Sequence, residues 1–182
     1  ENIYKYIGYF IQKDDGFFVK NVDFKAKSVI ITNVSRADMK NKIINFIAVH
    51  TAALIEEDLS EEIGEDEVLT ETEYTVVSGG TERAFIMGSN NTSRNFPMAL
   101  GYCGVGRVLR VGAAVTSVAA GDRVLVYHGK HAKYNVRPEA EITKIANDQI
   151  SSLDAAFVII ASMGLGGVRK LEIELGESAM VM

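Results

Sequence analysis

The sequence predicts a mainly β chain whose helices gather at the C-terminal end, an α+β fold. Three observations carry that expectation. Between Ala99 and Val124 short β-branched runs alternate with glycines at 101, 104, 106, 112 and 121, the pattern of a closed or partly closed barrel. The stretch "EVLTETEYTVVS" (67–78) sets Val68, Thr70, Thr72 and Tyr74 against Leu69, Glu71 and Glu73, the alternation of a half-buried strand. After residue 150 the texture changes, and "SSLDAAFVIIASMGLGG" reads as helix. With 182 residues, 47% of them hydrophobic, the chain can hold one domain with a real core, or one domain plus a fragment.

Residues 1–34 read as short strands: "KYIGYFIQ", a hairpin-type turn at "DDG" (14–16), then "FFVKNVDF" and "SVIITNV". "SRADMKNK" opens on a serine suited to a turn or a helix N-cap. In "IINFIAVHTAALIEEDL" (43–59) the isoleucines and valine of the first half favour strands over helix. The acidic run "EEDLSEEIGEDE" (56–67) reads as a solvated loop leading into the 67–78 strand. It has no interleaved His or Cys that would suggest a metal. "SGG" (78–80) forces a loop. Residues 99–137 read as a β-meander, with a tight turn at Gly121–Asp122 and a last strand, "HAKYNVRP", ended by Pro138. Ser151 or Ser152 caps the helix that follows, with Asp154 in its first turn. Its apolar residues are dense enough for burial. "VRKLEIELG" reads as a shorter helix closed by Gly176, and "ESAMVM" as the start of a buried strand.

The formal net charge of −5 argues against nucleic acid, which needs a basic face, and against an anionic membrane surface. Cys103 is the sole cysteine, so no intrachain disulfide and no four-cysteine zinc lobe can form. A reducing cytoplasm is the simplest compartment. The longest apolar run, Phe157–Val168, is too short for a membrane span and holds three glycines. The N-terminus lacks the pattern of a secretory signal.

Four stretches, in order, resemble the medium-chain dehydrogenase/reductase superfamily, the group of zinc alcohol dehydrogenases and quinone reductases. "DEVLTETEYTVVSGGTE" is similar to its first long barrel strand and catalytic loop. "FPMALGYCGVGRVLRVGAAVTSVAAGDRV" is similar to its glycine-rich signature, and "GKHAKYNVRPEAEITKI" to its next strand and turn. "ISSLDAAFVIIASMGLGGVRKLEIELGESAMVM" is similar to its linking helices and first cofactor-domain strand. The resemblance covers 66–182, with 43–65 matched loosely. It implies a GroES-like β-barrel over 43–150, linking helices and a first strand of a truncated cofactor domain over 151–182, and an unassigned extension over 1–42. The family's Gly-x-Gly-x-x-Gly turn, which binds the pyrophosphate of NAD or NADP at a helix N-terminus, would begin where the chain ends at Met182. The chain by itself is therefore expected to be inactive and to bind no NAD(P)H tightly.

The resemblance also places the chemistry. Where the family carries its first zinc ligand, in Cys-Gly-Ser/Thr-Asp, this sequence has Gly79-Gly80-Thr81-Glu82. Where it carries Gly-His-Glu, this sequence has Gly101-Tyr102-Cys103. The third ligand would fall in 157–163, which holds no Cys, His, Asp or Glu. Catalytic zinc is therefore not expected. "SGGTE" resembles a zinc-less subgroup with Ser-x-Gly-Thr-Glu, to which the bacteriochlorophyllide hydroxyethyl dehydrogenase group belongs. By that resemblance Thr81 matches a proton-relaying hydroxyl, Glu82 could orient the loop or pair with Arg83, and Tyr102 could supply a second, phenolic donor. Loop-capping hydrogen bonds for Thr81 and Glu82, and ordinary barrel packing for Tyr102, remain open alternatives. His131 stands where the family often keeps a structural histidine. His128 and His131 flank a turn with a spacing that a surface metal could use. His50 reads as a barrel or edge residue, and Cys103 as a buried small hydrophobe.

The implied function is the barrel portion of an NAD(P)-dependent oxidoreductase acting on a small alcohol or carbonyl compound, with a homodimer possible in the full-length protein. The alternative from a different class is a non-catalytic GroES-like binding or assembly module, in which residues 1–42 cover an edge or form an interface.

Overall fold

The computed structural model describes residues 9–13, 16–19, 40–60, 62–172, 176–178 and 180. Among the described residues ten strands form two sheets, and short helices lie at one loop and at the C-terminal end.

β1 (Tyr9–Lys13) and β2 (Gly16–Val19) form a hairpin. The expected strand at "SVIITNV" and the serine-led turn after it lie outside the described residues. β3 (Lys40–Ala48) and β4 (Thr51–Asp58) pair antiparallel, so the 43–59 stretch is strand, as its β-branched first half indicates. In β3 Asn41 and Ile43 point inward, and a bulge between Phe46 and Ala48 precedes the tight turn. His50 takes φ +62° in that turn, and its N–H donates to the Ile86 carbonyl at 2.7 Å. The acidic run differs from expectation at its start: Glu56–Asp58 complete β4. They stay in register because Asp58 faces Lys40 and Glu56 faces Lys42 across the ladder, and both pairs are ion pairs.

β5 (Glu67–Val76) is the axis of the larger sheet. One of its edges takes β7 (Cys103–Val111) along its length. The other edge is shared: β9 (Tyr134–Pro138) covers Glu67–Glu71 and β1 covers Tyr74–Val76. Two bulges break the alternation, with Leu109 the extra residue on β7 and Glu73 the extra residue on β5. Val68, Leu69 and Thr70 are all buried, so both faces of β5 are covered at that end.

β8 (Arg123–Tyr127) pairs with β7 and, on its far side, with β10 (Ile142–Lys144). The 99–137 segment is thus not a simple meander, because β9 leaves β8 and crosses to β5. β6 (Met98–Ala99) pairs with β3 in the smaller sheet. Val68, Val108, Val118, Val124, Val126 and Ile142 form one core cluster. Fully burying each such side chain contributes about 1.5–3 kcal/mol.

α1 (Thr81–Ile86) follows the "SGG" turn, a helix that the two glycines concealed in the sequence. α2 (Ser152–Ala156) starts as expected, with the Ser151 hydroxyl accepting from the Asp154 N–H at 3.0 Å. Its Ala155 and Ala156 pack on Val76, Cys103 and Val105. α3 (Val158–Lys170) departs from expectation, for none of its residues is buried. Ile159 and Ile160 touch the core cluster, while Met163, Leu165 and Val168 are exposed and Gly164, Gly166 and Gly167 meet no neighbour. Apolar density is thus not enough to bury the helix. α3 includes Val168–Lys170 and is capped at Leu171, so "VRKLEIELG" does not begin a separate helix. Gly176, beyond it, takes φ +92°; of the expected terminal strand, Glu177, Ser178 and Met180 are described and are not strand, and the rest lies outside the described residues. No helix among the described residues is long and apolar enough to cross a membrane.

Candidate functional site

The "SGGTE" loop leaves β5 and turns at once into α1. Its turn is closed reciprocally: the Glu82 N–H donates to the Ser78 carbonyl at 2.9 Å, and the Ser78 N–H donates to Glu82 Oε1 at 2.8 Å. The carboxylate thus does for this helix start what a capping-box glutamate does. Glu82 is buried at 6% exposure, whereas Thr81, one residue earlier, is exposed.

The second Glu82 oxygen meets His131. His131 Nε2 lies 2.7 Å from Glu82 Oε2, and His131 Nδ1 lies 2.9 Å from the Thr75 hydroxyl. His131 is 2% exposed and Thr75 5%. A single neutral tautomer meets both contacts, with Nε2–H donating to the carboxylate and Nδ1 accepting from the hydroxyl. His131 is thereby structural, as its position in the resemblance implies. Glu82 thus bonds both Ser78 and His131.

The turn that carries His131 also holds the other family-like segment. The His131 N–H donates to the Leu100 carbonyl at 2.9 Å, and the His128 N–H donates to the Tyr102 carbonyl at 2.8 Å. Gly101, at φ +139°, lies against this turn so closely that a Cβ there would stand 2.7 Å from His131 N. Only glycine fits both the conformation and the space. Residues 128–131 therefore clasp Gly101–Cys103 through the main chain and Glu82 through the imidazole.

Tyr102 is half-buried. Its hydroxyl lies 3.3 Å from the Tyr127 hydroxyl, and the two rings meet edge to face with centroids 5.4 Å apart. The hydrogen bond to Tyr127, with burial adding to it, holds the Tyr102 phenol above the ordinary tyrosine value. Cys103 is fully buried, and burial pushes its thiol up to about 11, with the nearby Glu82 carboxylate adding to the shift. It is the packed hydrophobe the sequence suggests. His128 pairs with Glu141 at 2.9 Å rather than sharing a site with His131. His50 sits at the exposed tip of the β3–β4 hairpin.

The structure thus links Glu82 and Tyr102 through the 128–131 turn and leaves Thr81 at the open start of α1. Sequence reasoning missed Thr75 and Tyr127. No local spacing could reveal either, since Thr75 and His131 meet only once β5 and the 128–131 turn are side by side. Among the described residues no three His, Cys, Asp or Glu side chains converge as a metal site.

Comparison with known proteins agrees with this geometry. The model of the alcohol dehydrogenase GroES-like domain matches residues 64–170. No curated protein sequence matches the chain. Among solved structures, an Escherichia coli oxidoreductase/dehydrogenase of unknown specificity superposes with a TM-score of 0.66 at 22% identity, covering 77% of this chain and 49% of its own. The quinone oxidoreductase from Coxiella burnetii gives 0.67 at 22% identity, covering 76% and 47%. The Escherichia coli quinone oxidoreductase complexed with NADPH gives 0.53 at 19% identity, covering 63% and 36%. The chain spans half the length or less of these structures, and at such identities they speak to the fold. The matched domain covers more than half of the chain and runs from just before β5 to the end of α3, so the chain belongs to the alcohol dehydrogenase GroES-like domain family.

Proposed function

We propose that the chain is the barrel portion of an NAD(P)-dependent oxidoreductase that interconverts an alcohol and a carbonyl compound without catalytic zinc. The observation that carries this reading is the clasp at 128–131, which joins Glu82 to the Gly101–Cys103 segment. The donor set there does not suit zinc. Gly79 offers no side chain, Glu82 and His131 are bonded to each other, and the Cys103 thiol is held in its protonated form. A dinucleotide would supply the hydride. The residues of this chain supply the oxygen side of the reaction. Thr81 and Tyr102 present hydroxyls, one exposed and one half-buried, that can donate to a carbonyl oxygen as it gains charge. Glu82 holds the Thr81 loop in place.

The test is turnover of the full-length protein with NADPH and a panel of aldehydes, ketones and quinones. Tyr102→Phe and Thr81→Val are expected to lower kcat by about tenfold or more, and a chelator is expected to leave it unchanged. One zinc per chain with chelator-sensitive turnover would overturn the zinc-free reading. No turnover with any of the panel would favour the non-catalytic module.

A further inference from the structure

We infer that Tyr127 is a positioning residue for the Tyr102 phenol, so that the two hydroxyls act as one paired proton donor. The inference rests on Tyr102 being the donor proposed above.

A line of contacts leads inward from the surface to Tyr102. Arg137 grips Glu141, with its Nε 2.6 Å from Glu141 Oε2. Glu141 Oε1 in turn holds His128 Nδ1 at 2.9 Å. The His128 ring stacks on the Tyr127 ring, with centroids 3.7 Å apart and planes 29° from parallel. Neighbouring residues of a regular strand point to opposite faces. Here β8 ends at Tyr127, and His128 takes φ +54°, which folds its ring back onto its neighbour. A left-handed non-glycine residue costs about 1 kcal/mol, and the stack and the Glu141 pair offset that cost. Tyr127 is thus fixed between the His128 face and the Tyr102 edge, with its hydroxyl 3.3 Å from the Tyr102 oxygen, which also lies 4.0 Å from Met163 Sδ.

The proton balance follows from this order. In the reductive direction a bound reduced nicotinamide would supply the hydride to the carbonyl carbon. The substrate oxygen takes the Tyr102 proton, so a phenol O–H breaks and an alcohol O–H forms. The resulting Tyr102 phenolate takes the Tyr127 proton across the 3.3 Å contact, and Tyr127 regains a proton from water.

The test is a titration of the tyrosine ζ-carbons by NMR in this chain, with the Tyr102 signal assigned from its absence in Tyr102→Phe. Tyr127→Phe keeps the ring and removes only the hydroxyl. It is expected to lower the Tyr102 midpoint by about half a pH unit or more, a tilt that a purely structural contact would not produce. His128→Ala keeps both phenols but frees Tyr127, and is expected to move the midpoint the same way by a smaller amount. It also serves as the readout if Tyr127→Phe does not fold. An unchanged Tyr102 midpoint in the folded variants would overturn the inference. Full turnover in Tyr102→Phe would instead overturn the donor role and leave the pairing standing, so the two failures are distinguishable.

Discussion

Replacing Glu82 by alanine would remove the acceptor that the buried His131 Nε2 and the half-buried Ser78 N–H now share. Leaving a buried donor unsatisfied costs about 1–3 kcal/mol, so Glu82→Ala is expected to lower the urea midpoint. Glu82→Gln, whose single amide oxygen keeps an acceptor for one of the two donors, is expected to lose less; equal losses for the two variants would show that the carboxylate's hydrogen bonds are not what holds the loop. Cys103 gives a second prediction. Its thiol is raised to about 11, so the folded chain should be inert to a thiol reagent at pH 8 and react once unfolded. The folded state holds this proton more tightly than the unfolded chain does. The thiol's contribution to stability is therefore complete below about pH 8.5 and is lost as pH rises toward 11. Denaturation midpoints from pH 8 to 11 check the sign. Rapid labelling of the native chain at pH 8 would show a thiol that burial does not protect.

Among the elements, the glycines of the barrel separate into two kinds, and substitution can tell them apart. A Cβ at Gly104 would stand 2.6 Å from the Tyr74 carbonyl oxygen, inside the β5–β7 ladder. Gly104→Ala must push the strands apart and is expected to cost about 1–3 kcal/mol. Gly121 has open space around it but φ +91°, so Gly121→Ala is expected to cost about 1–2 kcal/mol through backbone strain alone. An asparagine, tolerated in that region, should recover part of the loss at 121 and none at 104, as thermal unfolding of the four variants would show. The sequence revealed β5, β7, β8 and the Ser151 cap because each follows from local alternation or a local hydrogen bond. It did not reveal α1, whose start depends on a Glu82 side chain reaching back to Ser78 across two glycines. It overstated the burial of α3, since apolar density reports what a helix could bury and not what lies beside it. Within the site, Thr81, Glu82 and Tyr102 could be picked out by resemblance. Thr75 and Tyr127 could not, because their roles exist only across strands distant in sequence.

For the whole molecule, β5 has a consequence for how the chain reaches its fold. β3 and β4 join through two residues, so they can close in about 1–10 µs, as hairpins do. β5 must instead collect partners from both directions, with Tyr9 set against Val76 and Glu67 against Pro138. Each closure sacrifices the freedom of a long loop before any contact repays it. Chains dominated by such distant pairings fold in about milliseconds to seconds. Stopped-flow refolding of this chain is expected to fall in that slow range, and a sub-millisecond transition would show that local hairpins, not β5, set the pace. The Glu82–His131 bond joins residues on either side of that slow assembly, so the clasp at the site should be among the last contacts to form.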